Sequence, residues 1–214
     1  MTFVGNNFLQ FLLNAVFPRF CVSCGHEGEL LCSRCTLEWR PEPPQCSAEH
    51  LAVYAYANPG VRKLICAWKY EYDQSAFEIL TAQARVQGSA LQQIFSERKI
   101  QAIAALPLSA KRWRERGFNQ SQLIATWLAK EFQVPVLNIL GREHRSGHQA
   151  ERTVEQRQVA MQSNPFYVKN PAPQPMSILL VDDVWTTGST LLAAKEVLER
   201  DGNVTVFCFT LAKG

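Results

Sequence analysis

Residues 178–190 read Ile-Leu-Leu-Val-Asp-Asp-Val-Trp-Thr-Thr-Gly-Ser-Thr, and this stretch decides the fold of the 214-residue chain. It begins with an apolar run that is typical of a strand buried on both faces of a sheet. Two adjacent aspartates follow, Asp182 and Asp183, although the whole chain contains only four. A loop of small residues then leads into a helix that we expect to begin near Ser189. Because ligands of open α/β sheets bind at the carboxyl ends of the strands, the stretch predicts a ligand site at this edge.

The loop after the aspartates has the chemistry of an anion site. Backbone N–H groups and the dipole at a helix start attract phosphate, glycine allows close backbone approach, and hydroxyl groups add donors. The two carboxylates are placed to accept hydrogen bonds from sugar hydroxyls. The predicted phosphate-binding residues are Thr186, Thr187, Gly188, Ser189 and Thr190. As an alternative, the aspartates merely end a strand and Thr187 caps a helix, but adjacent carboxylates repel each other and this alternative leaves the chemistry of the loop unexplained.

On both sides of this stretch, strands and helices alternate along the chain. Apolar runs predict strands over 51–57, 100–106, 134–140, 166–169, 177–181 and 204–211. Spaced apolar residues predict helices over 61–70, 75–95 with a break near Gly88, 120–132 and 189–200. Asn119 and Gly202 stand where a helix begins and a helix ends. The alternation predicts an α/β fold, a parallel sheet with helices on both faces.

The composition excludes several other classes of protein. With 47% hydrophobic and 19% charged residues, the chain is globular, neither disordered nor membrane-embedded. The apolar stretch 8–17 is shorter than the roughly 20 residues that span a bilayer, so we predict a helix docked on the protein body. The net charge of +3 is too small to indicate nucleic-acid binding by itself. However, residues 98–157 hold 11 basic residues against 5 glutamates, which indicates that this part handles an anion.

The basic residues are densest in Lys-Arg-Trp-Arg-Glu-Arg at 111–116, which we predict to be a loop after the strand 100–106. Four cations at such a turn suit a pyrophosphate group. A solvated basic turn, or one that contacts the backbone phosphates of a nucleic acid, stays open as an alternative.

Four of the seven cysteines follow the pattern C-x2-C-x7-C-x2-C, namely Cys21, Cys24, Cys32 and Cys35. Each thiolate pair can supply half of a tetrahedral zinc site, and four thiolates leave no position for a substrate, so the zinc would be structural. Because the gap of seven residues is short, His26 and Cys46 are kept as alternative ligands. Four reduced cysteines without metal, and a redox-active pair, are the other interpretations.

Prolines at 41–44 follow the cysteines and predict a boundary. We expect an amino-terminal unit over 1–45, which holds the first helix and the zinc segment, and an α/β unit over 46–214. An odd number of cysteines, four of them close together, does not match a secreted disulfide framework. We therefore predict a reducing compartment.

Three stretches together carry a family resemblance. Leu-Leu-Val-Asp-Asp-Val-Trp-Thr-Thr-Gly-Ser-Thr at 179–190 resembles the phosphoribosyl pyrophosphate (PRPP) signature of type I phosphoribosyltransferases. With Leu-Pro-Leu-Ser-Ala-Lys-Arg-Trp-Arg-Glu-Arg-Gly-Phe-Asn-Gln at 106–120 and the amino-terminal cysteines, nearly the full chain resembles the ComF/GntX family of competence-associated proteins. The resemblance implies a type I phosphoribosyltransferase-like fold with a zinc-ribbon-like segment, in a bacterial cytoplasmic protein linked to natural competence or DNA uptake.

The resemblance also implies ligands and residue roles. PRPP or a related ribose phosphate would bind with magnesium, and Ser109, Lys111 and Arg112 would form the pyrophosphate loop. If the protein is an enzyme, the reaction would be substitution at the anomeric carbon of PRPP. Asp182 and Asp183 would be the catalytic pair at the sugar. The sequence does not identify the acceptor. Segment 142–157 would close over the phosphates. The alternatives are a non-catalytic nucleotide sensor and a DNA-binding adaptor that contacts single-stranded DNA or competence-machinery proteins.

Overall fold

The structure is a computed structural model that describes residues 18–38, 45–85, 88–143, 164–172 and 174–214. Its strands are β1 (Gln45–Cys46), β2 (His50–Ala55), β3 (Ile100–Ala105), β4 (Val136–Leu137), β5 (Leu140–Arg142), β6 (Phe166–Val168), β7 (Met176–Trp185) and β8 (Val204–Lys213). Its helices are α1 (Ser33–Glu38), α2 (Pro59–Tyr70), α3 (Gln74–Arg85), α4 (Gly88–Glu97), α5 (Ala110–Arg116), α6 (Gln120–Phe132) and α7 (Ser189–Asp201). The predicted helix over 8–17 and most of the predicted loop over 142–157 lie outside the described residues.

Six strands form the main sheet in the order β1-β2-β8-β7-β3-β4. All neighbouring pairs run parallel except β1 and β2, which are antiparallel. β7 lies in the middle, with Leu180 opposite Cys208 of β8 and Ala104 of β3. The predicted α/β fold is confirmed, and the short antiparallel strand at the edge is an addition to it.

The predicted strand over 134–140 is two strands in different sheets. β4 pairs with β3, whereas β5 leaves the main sheet and pairs antiparallel with β6, with Leu140 opposite Val168. Between them, the amide of Asn170 donates to the Asn138 carbonyl at 3.0 Å, which satisfies the backbone where the chain turns away. The single apolar run 134–140 therefore contributes strands to two sheets. The hydrophobic periodicity of the sequence does not show which strand each part pairs with.

Two apolar cores lie on opposite faces of the sheet, because successive strand residues point to opposite sides. In β7, Leu179 and Val181 belong to the first core, and Ile178 and Leu180 to the second. Helices α2, α3, α4 and α6 cover the first core, and α7 covers the second. Burial on both faces explains the continuous apolar run of β7 and confirms the predicted helices on both faces.

The basic stretch 111–116, predicted as a loop, lies in helix α5. The Ser109 hydroxyl accepts from the backbone N–H of Arg112 at the start of the helix. At its end Gly117 adopts φ +67°, a left-handed conformation that suits glycine. These two caps stabilise the helix. With only 7 residues, the helix is too short to show the apolar periodicity from which the other helices were predicted.

The cysteine segment, residues 18–38, packs against helices α2 and α3. Its small core consists of Cys21, Leu31 and Cys35, with Ile79 of α3 packed against it. Lys63 of α2 donates to the Val22 carbonyl at 3.0 Å. None of the helices among the described residues has the length and apolar character needed to cross a membrane.

Candidate functional site

A cavity of about 180 Å³ opens at the carboxyl end of β7. Its lining comes from three parts of the chain that are distant in sequence: the last turn of α2, helix α5, and residues 182–191. The lining residues outside 182–191 are Lys69, Tyr70, Arg112 and Arg116. The fold therefore brings the acidic pair and all five predicted phosphate-binding residues to one cavity.

Gly188 sets the shape of the phosphate loop. It adopts φ +75° immediately before α7, and a Cβ at this position would overlap the ring of Trp185. That ring cannot easily move away, because it lies against buried His50 with the ring centroids 4.1 Å apart. Across the glycine, the hydroxyls of Thr187 and Ser189 lie 3.0 Å apart. The loop thus presents two hydroxyls and the first amides of α7 to the cavity.

Asp182 is held by a neighbour from another helix. The Ser121 hydroxyl of α6 donates to its Oδ1 at 2.8 Å. Burial raises the pKa of Asp182 to about 7, and the charge of Asp183 acts in the same direction. The raised pKa favours the protonated carboxyl, which can donate to a sugar hydroxyl as well as accept from one.

Asp183 is buried, with 8% of its surface exposed, and it faces two cations. Its Oδ2 lies 2.8 Å from Nζ of Lys69 and 3.8 Å from a terminal nitrogen of Arg116. The two aspartates therefore differ in environment: Asp182 has a hydroxyl partner, and Asp183 has two positive charges.

Arg116 is the more deeply buried of the two arginines that line the cavity. It donates to Oε1 of Gln120 at 3.2 Å, and its guanidinium lies 5.4 Å from the centre of the Tyr70 ring. Its Nε has no hydrogen-bond partner among the described residues. A buried cationic donor without a partner is costly unless a ligand satisfies it.

The three residues predicted as a pyrophosphate loop are only partly brought together. Arg112 lines the cavity. Ser109 caps α5 instead, and Lys111 is 82% exposed and pairs with Glu115 of its own helix at 3.8 Å. Of the cations in α5, Arg112 and Arg116 face the cavity because they lie four residues apart, on one side of a helix.

The four predicted zinc ligands form one cluster. The sulfur atoms of Cys21, Cys24, Cys32 and Cys35 all lie within 4.8 Å of one another. The 3.7 Å between the sulfurs of Cys24 and Cys32 matches the edge of a tetrahedron with bonds of about 2.3 Å, the usual zinc–sulfur distance. Cys46 lies on β1, where its thiol donates to the Ser47 carbonyl, and neither Cys46 nor His26 is part of the cluster. The donors therefore fit a structural zinc ion.

The cysteine pKa values also indicate a site that needs a cation. Burial opposes ionisation of Cys21, but backbone N–H groups, with that of Cys32 the foremost, lower its pKa to about 6. A hydrogen bond with Ser23 lowers the pKa of Cys35, yet burial and the neighbouring thiols outweigh it and raise that pKa to about 12. The four thiols thus do not all ionise by themselves, and a bound metal ion would supply the charge that full ionisation requires.

Comparison with known proteins places the chain in a family context. No family model matches the chain. It is 27% identical to the competence protein ComFC of Bacillus subtilis over 206 residues, 94% of this chain and 80% of the relative. It is 26% identical to competence protein F of Haemophilus influenzae over 208 residues, 92% of this chain and 85% of the relative. The chain is a homologue of the ComF competence proteins.

Another relative of this ComF homologue is the DNA utilization protein YhgH of Salmonella typhi, 28% identical over 206 residues that cover 92% and 83% of the two chains. Similar solved structures include adenine phosphoribosyltransferase from Saccharomyces cerevisiae, with 20% identity, a TM-score of 0.38 and 83% of each chain covered. Orotate phosphoribosyltransferase from Aeropyrum pernix has 20% identity and a TM-score of 0.32 over 64% and 57% of the chains.

Sequence reasoning missed part of the site in this ComF homologue. No sequence pattern singled out Lys69 as a residue of this site. Arg116 was one of four similar cations, and nothing singled out Tyr70 or Ser121. The one available signal was the four-residue spacing of Arg112 and Arg116, which is informative only once 111–116 is known to be a helix.

Magnesium is the second metal that the resemblance of the sequence to a PRPP signature implies, and the acidic pair is where oxygen ligands are available. Magnesium requires a near-octahedral set of oxygen atoms. Here Oδ2 of Asp183 is already within 2.8 Å of Lys69, and Oδ1 of Asp182 accepts from Ser121 at 2.8 Å. The described residues therefore fit a metal ion between the two carboxylates poorly.

Proposed function

We propose that this ComF homologue binds PRPP or a related ribose phosphate in the cavity at the end of β7. The phosphate would lie on the loop Thr186–Thr190, and the sugar hydroxyls would contact Asp182 and Asp183. The observation that carries the proposal is that one cavity joins the phosphate loop, both carboxylates and two arginines. Each group matches one part of a phosphorylated sugar: donors for phosphate, acceptors for hydroxyls, and cations for further anionic groups.

The loop supports phosphate binding through features that need no large movement. Gly188 keeps the backbone close to the cavity, and the first amides of α7 have no helical carbonyl partners. The hydroxyls of Thr187 and Ser189 add donors on the same side. Magnesium is implied by the resemblance as a companion of PRPP, and none of these contacts requires it.

If the protein catalyses a reaction, that reaction is substitution at the anomeric carbon. The bond from this carbon to the diphosphate oxygen breaks, the diphosphate leaves with the bonding electrons, and the acceptor forms the new bond. Arg112 and Arg116 would neutralise the charge that develops on the leaving diphosphate. Asp183 would lie beside the positively charged sugar, with its carboxylate held in place by Lys69 and Arg116.

The names of the relatives suggest the setting. We propose a role in natural competence or DNA use, together with proteins of that machinery, in the cytoplasm, where thiols stay reduced for a zinc site. We also propose that residues 1–45 form a zinc-containing unit and residues 46–214 the ligand-binding unit.

A second candidate function is contact with single-stranded DNA through the outer side of α5. Trp113 of this helix is 53% exposed and lies between Arg112 and Arg114. An exposed aromatic ring among cations can stack a base while the cations contact phosphates.

Calorimetric titration with PRPP tests the first proposal, and calorimetric titration with single-stranded DNA tests the second. We expect wild type to bind PRPP, and Thr187→Val to weaken binding about tenfold, because a hydrogen bond to a charged group is lost. Thr126→Val is the matched control, since that hydroxyl only donates to the Gln122 carbonyl of its own helix. Diphosphate release in the presence of nucleobases would separate an enzyme from a sensor.

Absence of PRPP and ribose 5-phosphate binding to wild type would refute the first proposal. An oligonucleotide affinity that falls steeply with salt, resists Thr187→Val and is lost in Trp113→Ala would support the second.

A further inference from the structure

The charge of Asp183 is already compensated within the protein. Its carboxylate, the Lys69 ammonium and the Arg116 guanidinium are all largely buried, with 11%, 12% and 9% of their side-chain surfaces exposed. At 2.8 Å, the contact between Lys69 and Asp183 is both an ion pair and a hydrogen bond. Lys69 therefore occupies the position where a bound cation would otherwise contact this carboxylate.

Lys69 is held there by the packing of its helix. It lies in the last turn of α2, next to Trp68, which is fully buried in the first core. Leu64 and Ile65 of the same helix are also fully buried, and Asn58 caps the helix start by accepting from two backbone N–H groups. Because the helix is anchored at both ends, the ammonium group is a fixed part of the cavity wall.

The charge balance of the cavity favours an anion over a metal ion. Three cations, Lys69, Arg112 and Arg116, line it together with two aspartates. The Nε of Arg116 also has no hydrogen-bond partner among the described residues. A divalent cation would add to this positive charge, whereas a phosphorylated sugar would offset it. The side chains that line the cavity thus supply the positive charge that offsets the negative charge of the ligand.

We propose that Lys69, supported by Arg116, replaces a divalent cation at this site, so that a ribose phosphate binds without magnesium. The inference rests on the proposed function and deepens it, because it defines how the ligand's charge is compensated. Lys69 orients the Asp183 carboxylate toward the sugar hydroxyls, and the positive charge of Lys69 offsets the negative charge of the phosphate groups.

The test compares the affinity of wild type for PRPP, measured by calorimetry, in magnesium and in excess EDTA. Ribose 5-phosphate is titrated in parallel, because it lacks the diphosphate that binds magnesium in solution. We expect the dissociation constants in the two buffers to differ by less than about threefold for each ligand, since no metal ion contributes to the protein contacts.

The variant Lys69→Met tests whether Lys69 supplies the positive charge that replaces the divalent cation. We expect it to lose about tenfold or more in affinity in EDTA and to regain part of that loss in magnesium, because Asp183 is then available to a metal ion. Lys69→Arg retains a positive charge and should remain independent of magnesium. The matched control is Lys195→Met, since Lys195 is 14% exposed, pairs with Glu49 and Glu199, and does not line the cavity. Thermal unfolding confirms that each variant is folded.

The outcomes separate this inference from the proposed function. Binding by wild type only in magnesium would overturn the inference and leave the proposed function standing. Binding in neither buffer would overturn both. Magnesium-independent binding that Lys69→Met leaves unchanged would also overturn the inference, because the charge would then come from elsewhere. If Lys69→Met does not fold, the wild-type comparison and Lys69→Arg still decide.

Discussion

The cysteine segment and the carboxyl edge of the sheet differ in how much apolar structure lies beneath them. In residues 18–38, the buried apolar side chains are Cys21, Leu31 and Cys35, and two of these three belong to the four-cysteine cluster. The sheet edge lies above two cores, in which Leu179, Leu180 and their neighbours are fully buried.

This difference shows what each region can use its polar groups for. The cysteine segment buries too little apolar surface to be stable alone, and a metal ion bound by its four cysteines would stabilise the local structure. The sheet is stabilised by apolar packing. It therefore remains stable with a buried Lys69–Asp183–Arg116 cluster at its edge. Charges are structural in the first region and available for a ligand in the second.

Removing zinc should have the largest effect and should be confined to the cysteine segment. We expect Cys24→Ser, or chelation of the metal, to increase amide hydrogen exchange in residues 18–38 by at least about tenfold, because the cluster replaces a core there. Strands β3, β7 and β8 should keep their protection. Cys46→Ser is the control, since this exposed cysteine is outside the cluster. A segment that keeps its protection without metal would contradict the comparison.

Gly188→Ala should have an intermediate effect, now at the sheet edge. A left-handed conformation costs a non-glycine residue about 1–2 kcal/mol, and the added Cβ also displaces the braced ring of Trp185. We expect a lower unfolding temperature and at least tenfold weaker PRPP binding. Gly117→Ala separates the two causes, because Gly117 has φ +67° and open space around its Cβ position. Equal losses of PRPP affinity in both variants would show that the Trp185 contact does not matter.

Asp182→Asn should have the smallest effect and should depend on pH. Burial raises the pKa of Asp182 from 3.8 to about 7, so folding takes up a proton between these values. The stability that the group contributes is present below about pH 4 and is lost as pH rises through about 7. Relative to wild type, Asp182→Asn should therefore gain at least about 2–5 °C in unfolding temperature above neutral pH and almost nothing near pH 4.

Asp201→Asn is the control for this pH series. The Asp201 carboxylate pairs with Arg200, and hydrogen bonding to that arginine lowers the pKa of Asp201. The stability that Asp201 contributes is therefore present at neutral pH and is lost on acidification, which is opposite to the behaviour of Asp182. A gain for Asp182→Asn that is the same at every pH would contradict a pKa raised by burial.

Much of the fold could be predicted, because the signals are local. The apolar run before Asp182, the small residues after it and the cap at Asn119 each correspond to an observed element. The four-cysteine spacing likewise predicted a cluster that the structure brings together. The helix over 111–116 and the division of 134–140 between two sheets were not predicted, because short elements depend on caps and partners more than on periodicity.

The sequence by itself determined most of the strands and helices, the small-residue loop at 186–190 and the cysteine cluster, since each follows from residues close together in the chain. Only the tertiary structure decided which cations face the acidic pair. Lys69 reaches Asp183 because α2 packs on the first core, and Arg116 reaches it because α5 is a helix that points this residue inward. Such contacts join distant elements, and their geometry depends on how whole helices pack rather than on any local pattern.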